Sequence, residues 1–508
     1  MRIFRTKTVE QSIRDTEEPE HSLRKALGPL DLIIFGIGVI IGTGIFVLTG
    51  KAAALYAGPA IALSFVVSGI ACGLAALCYA EFASTVPVAG SAYTFSYATL
   101  GEFIAWVIGW DLVLEFLVGA ATVSIGWSQY FAAILQSLGI HLPAAITGGS
   151  GAVMDLPAAI IALILTAVLV SGIRMSSLFN TVVTSIKLLI VAFFIIFGLF
   201  FIKTANWAPF IPPPASTAQA TGALQSPLIQ VLLGLKQQYF GFPGIITGAA
   251  TVFFAYIGFD IVATTAEETR HPQRDMPIGI IGSLTICTVL YIVVSLVMTG
   301  LVSYQKLNTA APMATAFIAI GQPWAVILVS LGALCGLTAV IMILMLGQSR
   351  VFFAMSRDNL LPPWFSRVHP RFGTPYRISI ITGLVVAVVA AFTPIDVVSE
   401  MVNIGTLLAF VLVSIGVIVL RYAQPNLTRA FRTPWVPVIP ILSALLCLYL
   451  MMSLQVLTWI RFVVWLLIGI VLYFVYGIRH SRIAHEEIKL SGPVAVEESG
   501  RKSNSSSR

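Results

Sequence analysis

"GIGVIIGTGIFVLTG", residues 36–50, places five glycines in fifteen positions of an otherwise almost wholly apolar stretch. In an exposed helix each glycine costs about 1 kcal/mol relative to alanine, so a segment that merely had to be helical would avoid them. Where the segment lives decides what they mean. The 508-residue chain is 58% hydrophobic and only 10% charged, against roughly 25% charged residues in soluble domains, and its mean hydropathy is +0.94. These values predict an all-α, polytopic membrane protein.

Apolar runs of about 20 residues lie at approximately 29–57, 59–84, 102–137, 156–173, 181–202, 244–267, 278–302, 323–350, 377–394, 396–421, 435–453 and 458–478. They predict twelve transmembrane helices. Alternate sides for successive loops put 23 of the 29 Lys/Arg with the termini and even-numbered loops, five on the other side, and leave Lys187 inside a span. By the positive-inside rule both termini are cytoplasmic and the protein sits in the plasma membrane. This placement accounts for the net charge of +7 without invoking nucleic acid.

Residues 1–28 are polar with six Lys/Arg and precede a run long enough to span, so a cytoplasmic tail rather than a cleaved signal is expected there. Residues 203–243 form the longest outer loop, rich in Pro, Ala, Gln and Ser, and read as a poorly ordered insertion. The last two spans occupy 422–480, and 481–508 is a serine-rich cytoplasmic tail. All five cysteines fall in apolar runs without CxxC spacing, which predicts neither a disulfide framework nor a metal site.

The opening segment enters from the cytoplasm near residue 29, which puts Gly42 about 20 Å deep, near the bilayer centre. A second interruption, "FFAYIGFD" at 253–260, belongs to the sixth span, which enters from the other side near residue 244 and carries Ile257 and Gly258 to similar depth. Two breaks at like depth and opposite orientation, in spans starting about 215 residues apart, predict an inverted repeat of 29–202 against 244–421. Transporters of this design bind substrate where the broken helices meet: N–H groups at half-helix N-termini attract anionic groups and freed carbonyls attract cationic ones. An amino acid zwitterion has one of each. Gly38 and Gly42 also form GxxxG, whose plain reading is close helix packing.

"GIGVIIGTGIF", "LCYAEFASTVPVAGSAYTFSYATLGE" at the end of span two, "FFAYIGFD" and "HPQRDMPIGI" together closely resemble the amino acid, polyamine and organocation (APC) permeases, nearest to bacterial homologues of cationic amino acid transporters. The resemblance covers residues 25–480. It implies the leucine-transporter-like fold of five-plus-five inverted repeats, with discontinuous helices one and six and the last two spans peripheral. It further implies that Thr43 and Gly44 offer backbone N–H groups to a substrate carboxylate, and that Ile40, Phe254 and Ile257 offer carbonyls to the ammonium. Gly42 and Gly258 mark the helix breaks.

An ionisable group at mid-membrane costs a few kcal/mol or more and usually faces the bundle or a wet cavity. Lys187 lies about 9 Å into span five and is the only Lys or Arg well within a span; none of the six histidines is. Lysine readily exchanges its proton when removed from water, so Lys187 is the leading proton carrier, and the resemblance points the same way. The bland alternative is a structural lysine capping half-helix carbonyls. In span three Asp111 and Glu115 stand one turn apart on one face; Glu115 is placed to contact a substrate side chain, with structural hydrogen bonding the alternative for both. Met345, in span eight, is assigned to the apolar wall of the pocket.

No HExxH or GxSxG is present, and near-misses to nucleotide-binding loops lack required glycines. Neither an enzyme nor a cofactor is expected. The sequence predicts a proton-coupled amino acid symporter working by alternating access, with amino acid, protons and the lipid bilayer as partners and a small regulatory membrane partner left open. The alternatives are a proton-independent amino acid exchanger and, from another class, a non-transporting amino acid sensor.

Overall fold

Within a bilayer an apolar run satisfies its backbone only by closing its hydrogen bonds internally, and this chain does so through most of its length. The structure, a computed structural model, describes Arg5 and residues 25–482 except 87, 89–90, 149–151, 173–176, 216–221, 236–237, 363, 366 and 368–373. The serine-rich tail from 483 and the N-terminal tail up to 24, Arg5 apart, lie outside the described residues.

The principal helices are α1 (Pro29–Ile40), α2 (Ile61–Thr85), α3 (Ser91–Thr99), α4 (Glu102–Ser137), α5 (Leu156–Val170), α6 (Ser177–Leu199), α7 (Gly241–Val252), α8 (Pro272–Leu301), α9 (Pro323–Arg357), α10 (Tyr376–Phe392), α11 (Ile395–Ala423), α12 (Val438–Met452) and α13 (Val456–Leu472). Among the described residues there is no β-strand, only isolated bridges such as Leu27 to Thr269. Among the described residues eight helical segments are long and apolar enough to cross a membrane: Gly44–Thr85, Glu102–Ser137, Phe179–Leu199, Gly241–Glu268, Pro272–Leu301, Pro323–Arg357, Ile395–Ala423 and Val456–His480. Four further apolar helices, α1, α5, α10 and α12, are shorter.

Helix starts follow local chemistry. Pro29 opens α1, where its missing N–H costs nothing, and the Asp31 carboxylate accepts from Gly28 N at 2.9 Å. Asp155 caps α5, accepting from Ala158 N at 3.1 Å and from Ser128 Oγ at 2.5 Å. The expected first span, 29–57, is divided: α1 ends at Ile40, Ile41 swings to ψ 97°, and helical bonding resumes at Gly44 in a wider, π-type turn. The sixth span narrows instead, from α7 into a 3-10 stretch Phe253–Tyr256; Ile257 then extends at ψ 132° and Gly258 takes φ +122°, where a side chain would be strained.

α4 and α9 form the central pair and run antiparallel. Trp127 Nε1 donates to Thr338 Oγ1 at 3.0 Å near one end, while Gly119 faces Leu344, Phe116 faces Gly347, and Gly109 faces Met355 in turn along the pair. α8 lies against both α1 and α2, and α11 against α4. Small residues set these close approaches: a Cβ at Gly36 would strike Ser283 of α8, one at Gly38 Thr184 of α6, and one at Gly50 Pro312. Gly42 is different, since a Cβ there would meet its neighbours at ordinary contact distance, Val340 at 3.7 Å and Val39 O at 3.9 Å.

Candidate substrate site

Both interruptions expose backbone that a continuous helix would have paired, and they meet. A Cβ on Gly44 would land on the Ala255 backbone, and one on Gly258 would lie 2.6 Å from Val39 Cγ1. The half-helix beginning at Thr43 and Gly44 carries N–H groups without intrahelical acceptors, the positive end of its dipole. Thr43 packs its fully buried side chain towards Gly126 of α4, where a Cβ would come within 2.6 Å of Oγ1.

Between the breaks lies a cavity of about 20 Å³, lined by Val39, Ile40, Gly42, Thr43, Gly44, Gly119, Val123, Phe254, Ile257, Val340 and Leu344. That is room for about one water molecule. Ile40, Thr43, Gly44, Phe254 and Ile257 are thus brought together with Gly42, while Gly258 sits just behind, against Val39. Met345 is buried but does not line the cavity; Leu344 does, and one residue along a helix turns the side chain by about 100°. The remaining wall was not anticipated. Gly119 and Val123 on α4, and Val340 and Leu344 on α9, are i,i+4 pairs, a spacing that carries no signal in helices where every face is apolar.

The freed carbonyls are shared out among buried donors. Tyr291 Oη on α8 lies 2.7 Å from Ile40 O and 2.9 Å from Ala255 O, one carbonyl from each broken helix. A tyrosine hydroxyl has one proton, so it donates to one of them at a time. Phe254 O accepts from Ile257 N at 3.3 Å. Lys187 Nζ, fully buried on α6, donates to Gly38 O and, at 3.1 Å, to Ile41 O. Gly336 makes room for it, because a Cβ there would sit 2.7 Å from Lys187 Cγ and 2.9 Å from Cδ. Among the described residues no carboxylate pairs with Lys187. Tyr291 was not singled out in the sequence, although a tyrosine within an apolar span must find a partner for its hydroxyl.

Asp111 and Glu115 lie on α4 below the cavity, fully buried, and among the described residues their four carboxylate oxygens have no hydrogen-bond partner. Asp111 faces Gly405 of α11. Glu115 lies beside Thr406, whose hydroxyl is already committed to Val402 O at 3.0 Å. Glu115 stands one turn from Gly119, about 6 Å along the axis, and so does not line the closed cavity. Asp260 holds the second break, accepting from Gly258 N at 3.2 Å.

A bundle of apolar helices packed around two interrupted ones, with a small cavity between the breaks, is the architecture of a multi-pass membrane protein of the permease class. A model of the amino acid permease family matches residues 27–481, and the chain belongs to that family, within the APC superfamily. It is 45% identical over 483 residues to a methylthioribose transporter of Bacillus subtilis (strain 168), covering 94% of this chain and 98% of that one. It is 46% identical over 488 residues to a branched-chain amino acid permease of the same organism, covering 95% and 99%. A vacuolar cationic amino acid transporter 4 of Arabidopsis thaliana is 38% identical over 427 residues, covering 84% of this chain and 68% of that one.

Proposed function

We propose that the protein is a proton-coupled amino acid symporter of the plasma membrane that imports substrates with apolar side chains by alternating access. The observation that supports this reading is the lining of the cavity between the two breaks. In this reading Thr43 and Gly44 turn N–H groups to the substrate, Ile40, Phe254 and Ile257 offer carbonyls, and Val39, Val123, Val340 and Leu344 form an apolar wall; all nine line the cavity. The backbone groups suit the carboxylate and ammonium common to all amino acids, and the wall suits an aliphatic side chain. Similarity to a branched-chain amino acid permease supports the same substrate class.

In this reading 29–202 and 244–421 are inverted five-helix repeats, the last two helices are peripheral, twelve segments span the membrane, and both termini are cytoplasmic. The small volume of the cavity implies that substrate enters by separation of the broken helices from the α4–α9 pair and is enclosed when they return. Lys187 carries the proton. Its two carbonyl partners need two N–H donors, which a neutral amine supplies as well as an ammonium, so the proton can leave without breaking the tie to α1. Its loss removes the charge that holds the Gly38 and Ile41 carbonyls most strongly, and α1 loosens towards the cytoplasm.

The test is uptake of L-leucine into proteoliposomes. An inward proton gradient should drive accumulation above equilibrium; no net uptake under the gradient, with counterflow persisting in its absence, would defeat the coupling and leave exchange as the mechanism. A second reading follows from the methylthioribose transporter. A sugar thioether has neither carboxylate nor ammonium, so competition by methylthioribose stronger than that by leucine would reassign the substrate.

A further inference from the structure

A second cavity, of about 590 Å³, lies beside α7 between the start of α11, the α12–α13 connection and the 203–243 segment. It is far larger than the central one, and its walls are built. Tyr56 and Tyr239 stack at 6.1 Å between ring centroids and form an aromatic side. Thr247 and Thr251 face it from α7, Asp396 and Glu400 from α11, and Arg461 from α13.

The charges are not self-cancelling. Asp396 is committed to Lys51 at 3.1 Å. Glu400 is only 8% exposed, and Thr458 Oγ1 donates to its Oε2 at 2.5 Å, leaving Oε1 for the cavity it lines. Arg461 lines the same cavity, and among the described residues it forms no ion pair with Glu400. A carboxylate and a guanidinium held apart across an aromatic-walled space are the complement of a zwitterion, the ammonium on Glu400 and the carboxylate on Arg461.

The cavity also adjoins the central site. Thr251, on its floor, precedes Phe254 of the central cavity by three residues, about 4.5 Å along a helix. Asn403, one turn beyond Glu400, donates to Ala250 O at 2.9 Å and ties α11 to α7 at this level.

We propose that this cavity is an outer amino acid site that captures a zwitterionic α-amino acid before it reaches the broken helices. The proposal rests on the reading of the chain as an amino acid importer with this face outward. Equilibrium binding of tritiated L-leucine to the full-length protein in nanodiscs should give two sites per chain. Glu400→Gln and Arg461→Gln should each weaken one of them about tenfold, the scale of one charged hydrogen bond, and leave the other unchanged. Gly42→Val, whose side chain would enter the central cavity beside Val340, should leave the outer site alone. Arg461 is partly exposed, so its variant serves even where Glu400→Gln does not fold. One site in the wild type, unaffected by either charge variant, would overturn the outer site while leaving transport standing. No leucine binding together with no uptake would overturn both.

Discussion

Replacing Tyr291 by phenylalanine deletes one oxygen and keeps the ring packed against Phe65 and Tyr256, at 5.5 and 5.4 Å. In the closed, empty protein that oxygen serves Ile40 O and Ala255 O, so the variant leaves both carbonyls without a side-chain donor. A buried polar group deprived of its partner costs about 1–3 kcal/mol. If the substrate ammonium binds Ile40 O, the single Tyr291 proton serves Ala255 O in the loaded protein and one of the two carbonyls in the empty one, so the variant loses one hydrogen bond in either state. Both states should be destabilised by about 1–3 kcal/mol, and leucine affinity should stay within about threefold of the wild type because the loss cancels from the binding equilibrium. The assay compares thermal melting with and without leucine, alongside leucine binding to purified protein. Melting should fall by a similar amount in both conditions. Leucine binding changed tenfold or more, about 1.4 kcal/mol, would refute the shared-carbonyl reasoning.

Other consequences follow from the same geometry. Lys187→Met should abolish gradient-driven accumulation yet permit counterflow, and accumulation that survives would remove Lys187 from the coupling. Gly336→Ala, which drives a methyl into the Lys187 side chain, should cost about 1–3 kcal/mol by overpacking and reduce coupling without touching the substrate; a thermal melt and pH-gradient uptake would show both. Glu81 is 1% exposed and accepts from Arg421 Nε at 2.9 Å, Arg421 Nη2 at 2.8 Å and Thr433 N at 2.8 Å. Glu81→Gln should therefore destabilise the fold by about 3 kcal/mol. The half-exposed pair of Arg350 and Glu268, at 2.9 Å, should contribute less than about 1 kcal/mol, so Glu268→Gln should melt close to the wild type.

The parts of the site legible in the sequence are those where the chain breaks a rule. A glycine-rich stretch in a helix that must not be interrupted without cause, and "FFAYIGFD" at the corresponding depth, marked the two breaks, and the family resemblance implied Ile40, Thr43, Gly44, Phe254 and Ile257; these, with Gly42, line the central cavity. Lys187 was conspicuous as a lone cation in hydrocarbon, and the structure puts it against the α1 carbonyls. The walls were not legible. Val340, Leu344, Gly119 and Val123 sit in helices apolar on every side, because lipid and protein interior are equally apolar and no periodic stripe distinguishes them. That is why Met345 was nominated one residue from Leu344.

By itself the sequence determined that this is a helical membrane protein, where its helices are interrupted, and which ionisable groups are inside, because the bilayer penalises charge and broken backbone wherever they occur. Only the tertiary structure decided what those features face. The stacking of Gly44 on Ala255, the single Tyr291 hydroxyl between two carbonyls, and the pocket joining Glu400 to Arg461 bring together residues far apart in the chain. Their meeting depends on close packing of small residues and shape, which leave no trace in local composition.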